Sequence, residues 1–300
     1  MLSRMARIAI IGGGSIGEAL LAGLLRAGRQ TKDLVVAEKS PNRATYLAEK
    51  YSVRIASVAE AVDTATYVIV AVKPSDVGSV IGDIADTAAR AESDAAEQIF
   101  VTVAAGVSAA YFENKLPAGS PVVRVMPNAP MLVGGGVSAV APGRFATAEH
   151  VRGVSSLFDA VGGVLTVAES QIDSVTAVSG SGPAYFFLMV EALVDAGVDA
   201  GLTRSVATDL VVQTMAGSAA MLLERLDAEG AGGEAASGPS GAMASPTDTS
   251  AAQLRAMVTS PGGTTAAGLR ELERGGLRAA VANAVEAAKT RSEQLGITPE

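Results

Sequence analysis

The segment Ser260-Pro261-Gly262-Gly263-Thr264-Thr265 carries the residue types best suited to chemistry, because hydroxyls and side-chain-free backbone meet there between two helical patterns. Ser260 has the side chain of a helix N-cap and Pro261 the fixed φ of a first helical position, with helix-compatible spacing from Ala266 to Glu273. Two glycines in a first helical turn cost roughly 0.5 to 1 kcal/mol each relative to alanine. A small carboxylate resting on bare N–H groups at the positive helix end would offset that cost, with the Thr264 and Thr265 hydroxyls as further donors. Taken alone, an ordinary capped helix is the plainer alternative.

A second constellation lies at the other end of the chain. Gly12-x-Gly14-x-x-Gly17 follows the apolar run Arg7 to Ile11 and opens a helical stretch, the context in which this pattern binds a dinucleotide. Gly12 permits the tight turn, Gly14 lets pyrophosphate approach the backbone, and Gly17 lets the helix pack close to the sheet. Glu38 ends the second strand, where an acid bonds the ribose hydroxyls of NAD, but Lys39, Ser40 and Arg43 follow with groups that suit a 2′-phosphate. Residue chemistry therefore leaves NAD against NADP open. Ala71-Val72-Lys73-Pro74 and Ala104-Ala105-Gly106 end further strands and are expected to line the nicotinamide side, although Lys73 also reads as a surface turn lysine. Met126-Pro127-Asn128-Ala129-Pro130 is a proline-fixed loop with Asn128 as an amide anchor. Val178 to Tyr185 reads as a second glycine and hydroxyl helix start, and its spacing is not that of a nucleophile elbow.

The elements that must position these groups alternate. Strands are predicted at 7–11, 34–37, 53–55, 67–72, 99–103, 122–125, 137–141 and 164–167, with helices at 15–27, 41–51, 58–62 and 146–161. That alternation implies an α/β fold with a Rossmann-type doubly wound parallel sheet. Beyond Glu169 only helical patterns remain, at 183–200, 205–226, 251–259, 264–273 and 277–295. The expected division is a dinucleotide-binding domain at 1–168 and an all-helical substrate domain at 169–300. Residues 227–249, rich in Gly, Ala, Ser and Pro, are expected to form a flexible insertion.

Composition narrows the function. A net charge of −8 without a basic block disfavours nucleic acid and anionic membranes, and points to a small molecule. Charged or glycine residues interrupt the apolar runs before a membrane span is reached, and the N-terminal apolar stretch reads as a strand rather than a secretion signal. Cysteine is absent, which fits a reducing cytoplasm and excludes thiolate chemistry. The one histidine, His150, sits in a polar stretch and is expected on the surface, so neither a histidine-dependent hydrolase nor a metal site is expected. Ala184 to Val190 is apolar all round, more than a small bundle covers, so subunit association is expected.

Taken together, Gly180 to Tyr185, Ser260 to Thr265, Ala71 to Pro74 and Met126 to Pro130 closely resemble the pyrroline-5-carboxylate reductases, in the same order over nearly the whole chain. The resemblance implies a helical domain that dimerises and NADPH-dependent, or alternatively NADH-dependent, reduction of a cyclic imine to L-proline. It implies that Ser260, Gly263, Thr264 and Thr265 hold the substrate carboxylate, with the Thr265 hydroxyl near the ring nitrogen as the catalytic group. It further implies that Gly12, Gly14, Ser15 and Ile16 hold the pyrophosphate, Ala71, Lys73 and Pro74 the cofactor loop, and Ala104, Ala105 and Gly106 the nicotinamide edge. Residues 227–249 are longer than expected for such a chain.

Two rivals are weaker. A hydroxy-acid dehydrogenase of this build needs a base, commonly lysine on a long interdomain helix, and no lysine lies between Gln171 and Ala288. A non-catalytic NADP-binding regulator has no reason for the Gly262-Gly263 pair.

Overall fold

The computed structural model describes residues 6–90, 97–231 and 250–296. The chain divides into two compact units, Met1–Pro183 with Ala284–Glu300, and Ala184–Asn283.

The first unit runs β1 (Ile8–Ile11), α1 (Ser15–Arg26), β2 (Leu34–Ala37), α2 (Pro41–Tyr51), β3 (Arg54–Ala56), α3 (Val58–Val62), β4 (Tyr67–Val70), α4 (Pro74–Arg90), β5 (Ile99–Thr102), α5 (Ala109–Glu113), β6 (Val122–Met126), β7 (Gly136–Pro142), α6 (Ala148–Phe158), β8 (Gly162–Thr166) and α7 (Ile172–Val175). One sheet results, in the order β3-β2-β1-β4-β5-β6-β7-β8. The central strands β1, β2, β4 and β5 are buried at every position, as a sheet covered on both faces requires. Successive residues of a strand face opposite layers. Ile8 and Ile10 accordingly join Leu20, Leu24, Val154, Leu157 and Phe158 in one core, while Ala9 and Ile11 join Ala61, Val77, Ile81, Ile84 and Phe112 in the other.

The doubly wound sheet is as expected, with the last two strands running opposite to the other six. β7 runs antiparallel to β6, and β8 is parallel to β7. The link from β6 to β7 holds only the short 3-10 turn Ala129–Val133, too little chain for a parallel crossover, so the strand folds back. Helices α4 and α5 occupy stretches in which no helix was expected.

In the helical part, α8 (Gly182–Asp199), α9 (Arg204–Ala231), α10 (Ser250–Met257), α11 (Thr264–Arg274) and α12 (Leu277–Leu295) follow. Helix α9 continues to Ala231, so residues 227–231 of the expected flexible insertion are helical; residues 232–249 lie outside the described residues. Phe186, Phe187 and Leu188 are 61 to 66% exposed on α8, and Leu210 is 54% exposed on α9. Among the described residues, two helical stretches, Glu169–Asp199 and Arg204–Arg225, are long and apolar enough by length and composition to cross a membrane, against the expectation that charged and glycine residues break such runs.

His150 is a correction: it is buried, not solvated. Its Nδ1 accepts the Thr147 N–H at 3.1 Å, closing a cap on α6, so Nε2 carries the proton and donates to Glu97 at 3.0 Å. The polar neighbours suggested solvent, but they cap a helix whose other face is core.

Candidate active site

The parallel ladder continues past the carboxyl ends of β1 and its neighbours, with Gly12 N–H donating to the Ala37 carbonyl and Ala71 N–H to the Ile11 carbonyl, both at 2.8 Å. These two bonds bring the turns after β1, β2 and β4 to one edge, beside the switch in strand order between β1 and β4. A cleft of about 380 Å³ opens there, lined by Gly12, Gly14, Glu38, Lys39, Ala71 and Lys73 among others.

The glycines of the turn are required by position. Gly12 has φ +108°, and a Cβ on it would lie 2.7 Å from the Ala71 carbonyl oxygen. A Cβ on Gly17 would lie 2.0 Å from the Gly12 carbonyl oxygen, so α1 can rest against the turn only because residue 17 has none. Gly14 faces open space within 4 Å and caps α1 with no side-chain bond. The first N–H groups of α1, on Ser15 and Ile16, therefore stand at the helix's positive end without an intrahelical partner. Such a cradle fits a pyrophosphate.

The turn is held from both sides. Glu38 accepts the Gly13 N–H at 2.8 Å through one oxygen and the Ser40 N–H at 2.7 Å through the other. Arg43 donates its Nε to the Gly13 carbonyl at 2.7 Å and pairs with Glu18 on α1. Glu18 also accepts from Tyr51 at 2.8 Å, Lys50 at 3.0 Å and Tyr46 at 3.1 Å. Burial alone would raise the Glu18 carboxyl, but the bonds from Tyr51, Lys50, Arg43 and Tyr46 outweigh it and lower the pKa to about 2. The same contacts, first those with Tyr46 and Tyr51, push the Lys50 ammonium up. A carboxyl depressed in the folded chain stabilises it above its ordinary value of 4.5, and that contribution fades as pH falls toward about 2. Glu18→Gln is therefore expected to lower the urea midpoint near neutral pH, with the gap closing below about pH 4.5. Urea titrations across that range check it; a gap that widened on acidification would contradict the sign.

The expected cofactor residues distribute unevenly around the cleft. Gly12, Gly14, Lys39, Ala71 and Lys73 line it; Ser15, Ile16, Ser40, Pro74, Ala104, Ala105 and Gly106 do not. Ser40 directs its backbone N–H to Glu38, and Pro74 starts α4. Ala104 is buried after β5, and Gly106, at φ +74°, is approached by the Leu295 carbonyl of α12, 2.8 Å from where a Cβ would stand. Sequence reading missed Ser57, Val58, Asp76 and Ser79, which also line the cleft. Ser57 follows β3, which pairs parallel with β2, and that pairing was the signal that could have placed it at this edge.

The segment at 260–265 departs from the expected helix start. Gly263 N–H donates to the Ser260 carbonyl at 3.0 Å, and Gly262 has φ +70°. Proline at the second position and a positive-φ glycine at the third make this a type II turn. Helix α11 begins at Thr264, with Gly263 as N-cap and no side-chain cap. Ser260 is thus not the cap, and neither glycine lies inside the helix. The supposed helical cost of the glycines does not arise: Gly262 is required by its left-handed backbone. The free N–H groups that remain are those of Thr264, Thr265 and Ala266, since Ala267 N–H already bonds the Gly263 carbonyl at 3.1 Å. Ser260, Thr264 and Thr265 are exposed.

Asn128 and the Gly180 region meet within the first unit. The Asn128 side chain accepts the Val137 N–H at 2.9 Å and donates to the Ser179 hydroxyl at 3.3 Å. Thr176–Gly180 is a π-helical turn, with Ser181 N–H reaching the Thr176 carbonyl at 2.9 Å. The expected second helix start is therefore a bulge inside a continuous helical run from α7 to α8.

Comparison with known proteins agrees with both halves. Residues 169–295 match the family model described as pyrroline-5-carboxylate reductase dimerisation, and residues 7–106 the model described as NADP oxidoreductase coenzyme F420-dependent. A pyrroline-5-carboxylate reductase of Mycobacterium tuberculosis is 69% identical over the full length of both chains. The chain belongs to the pyrroline-5-carboxylate reductase family. Among solved structures, the Coxiella burnetii reductase superposes with a TM-score of 0.84 at 32% identity, covering 98% of this chain and 100% of that one. A Plasmodium falciparum pyrroline carboxylate reductase with NADP bound gives 0.77 at 28% identity, covering 97% and 98%. This member of the family is an NAD(P)H-dependent oxidoreductase with a Rossmann-type domain and a helical dimerisation domain.

Proposed function

We propose that this reductase transfers hydride from NADPH, with NADH as an alternative, to the C=N bond of 1-pyrroline-5-carboxylate, giving L-proline, the last step of proline biosynthesis. The observation that carries the reading is the pair of uncapped helix starts. At Gly14 the first N–H groups of α1 suit the coenzyme pyrophosphate, and at Gly263 those of Thr264, Thr265 and Ala266 suit a substrate carboxylate. Gly12, Gly14, Ser15, Ile16, Lys39, Ser40, Ala71, Lys73, Pro74 and the loop Ala104 to Gly106 would hold the coenzyme, which when bound supplies the hydride.

The residues' share of the chemistry is modest and matches what the chain has. An iminium carbon is already electrophilic, so reduction needs orientation and one proton on nitrogen rather than a strong base. Ser260, Gly263 and Thr264 orient the ring by its carboxylate, and the Thr265 hydroxyl hands the nitrogen its proton from water. In this division residues 1–168 serve the coenzyme and residues 169–300 the substrate and the subunit contact.

The exposed apolar faces of α8 and α9 fit burial against a second copy, so the working form is a homodimer or a larger assembly of dimers, free of nucleic acid and membrane, in the cytoplasm. Oxidation of NADPH on adding pyrroline-5-carboxylate, followed by loss of reduced-coenzyme absorbance, tests the activity. Proline should accumulate in equal amount, and absence of turnover with both coenzymes would end the proposal.

A further inference from the structure

Two acids, Glu38 and Asp76, and two bases, Lys39 and Lys73, line the cleft beside the glycine turn. After β2, three residues have groups suited to a 2′-phosphate, and the structure separates them. Arg43 is committed to Glu18 and to the Gly13 carbonyl, and the Ser40 N–H to Glu38. Lys39 is the one of the three that lines the cleft. Its Nζ reaches Oδ2 of Asp76, in the first turn of α4, at 2.9 Å.

That pair lies in solvent, with the Lys39 side chain 79% and the Asp76 side chain 31% exposed. Exposed pairs of this kind hold weakly, whereas an ammonium on a phosphate dianion makes a stronger charge-assisted bond. Glu38 has both oxygens on backbone N–H groups, and a carboxylate has lone pairs left for a ribose hydroxyl but nothing to donate to a phosphate. The Ser57 hydroxyl is likewise taken up by Glu60, and the Ser79 hydroxyl by the Asp76 carbonyl.

We propose that Lys39 and Asp76 form an exchange pair that sets the preference between phosphorylated and unphosphorylated coenzyme. Lys39 leaves Asp76 for an adenosine 2′-phosphate; Asp76 competes for Lys39 and repels the phosphate. A bare ribose leaves the pair in place. The Lys39–Asp76 bridge therefore admits both coenzymes and decides their ratio, and Asp76 is its specificity-determining member. The inference rests on the cleft being the coenzyme site, and does not depend on the identity of the imine.

Calorimetric titration of the full chain at low salt with adenosine 2′,5′-bisphosphate and with 5′-AMP reads the effect without turnover. Asp76→Asn should tighten the bisphosphate about threefold to fivefold, the range an exposed charge pair commands, and leave 5′-AMP within about twofold. Lys39→Ala should weaken the bisphosphate about tenfold or more, as loss of a charged hydrogen bond does, again with little change for 5′-AMP. In the Lys39→Ala background the gain from Asp76→Asn should shrink, because nothing is left to compete for. Equal shifts for the two ligands, or a bisphosphate weakened by Asp76→Asn, would overturn the exchange. Failure of both nucleotides to bind the unaltered chain would remove the coenzyme site and the exchange with it. Tight bisphosphate binding without imine reduction would sink the proposed reaction alone.

Discussion

Gly17→Ala is expected to weaken NADPH binding roughly 100-fold, the loss of about 3 kcal/mol that misaiming two N–H groups on a charged pyrophosphate produces at about 1.5 kcal/mol each. The new Cβ would stand 2.0 Å from the Gly12 carbonyl oxygen, and backbone cannot swing aside as a flexible side chain does. Either α1 withdraws from the turn or the turn tilts, and in both cases the N–H groups of Ser15 and Ile16 lose their aim. The buried face of α1, with Leu20, Leu21 and Leu24 in the core, resists the withdrawal, so a stability loss of about 1 to 3 kcal/mol accompanies it. Quenching titrations with NADPH, read alongside the thermal midpoint, separate the two losses. An alanine variant that bound NADPH as tightly as the parent would show that the turn does not hold the pyrophosphate.

Thr265→Ala is expected to lower kcat roughly 100-fold, the lower end of what a positioned proton donor supplies, while NADPH affinity stays unchanged. Its side chain is exposed and caps nothing, so folding is spared. Thr265→Ser keeps the hydroxyl and should recover most of the rate, which a purely structural role for the methyl group would not allow. Steady-state rates with pyrroline-5-carboxylate for the three proteins decide it, and an alanine variant at full speed would remove Thr265 from the chemistry.

Much of the fold was legible because parallel sheets write themselves in short buried runs that stop at a turn, as at Ile8 to Ile11 before Gly12 and at Tyr67 to Val70 before Lys73-Pro74. The reversal of β7 was not, since strand direction depends on how far a connection can travel and the residues of β7 carry no mark of it. At 260–265 the place was legible and the geometry was misread. Pro261-Gly262 is a turn signal as much as a helix signal, and the positive φ of Gly262 settles between them. The Glu18 network could not be read at all: its partners Arg43 and Tyr51 stand 25 and 33 positions away, joined only when α2 packs beside α1. The π turn at Thr176–Gly180 was invisible for a related reason, because an extra residue in a helix leaves its neighbours' spacing nearly unchanged. Asp76 was passed over because its place at the cleft depends on α4, a helix that was not expected after β4.

Helix α12 has a consequence for how the protein is made. Its last turns belong to the first unit, where Ser292 bonds Asp173 at 2.7 Å and the Leu295 carbonyl seals the loop at Gly106. On the ribosome, the nucleotide-binding unit must therefore wait with one wall missing while more than a hundred further residues are synthesised, as counted from Pro183 to Leu295. The last piece of the first unit to emerge is also the one that closes it, so premature termination inside the helical part would leave both halves unfinished.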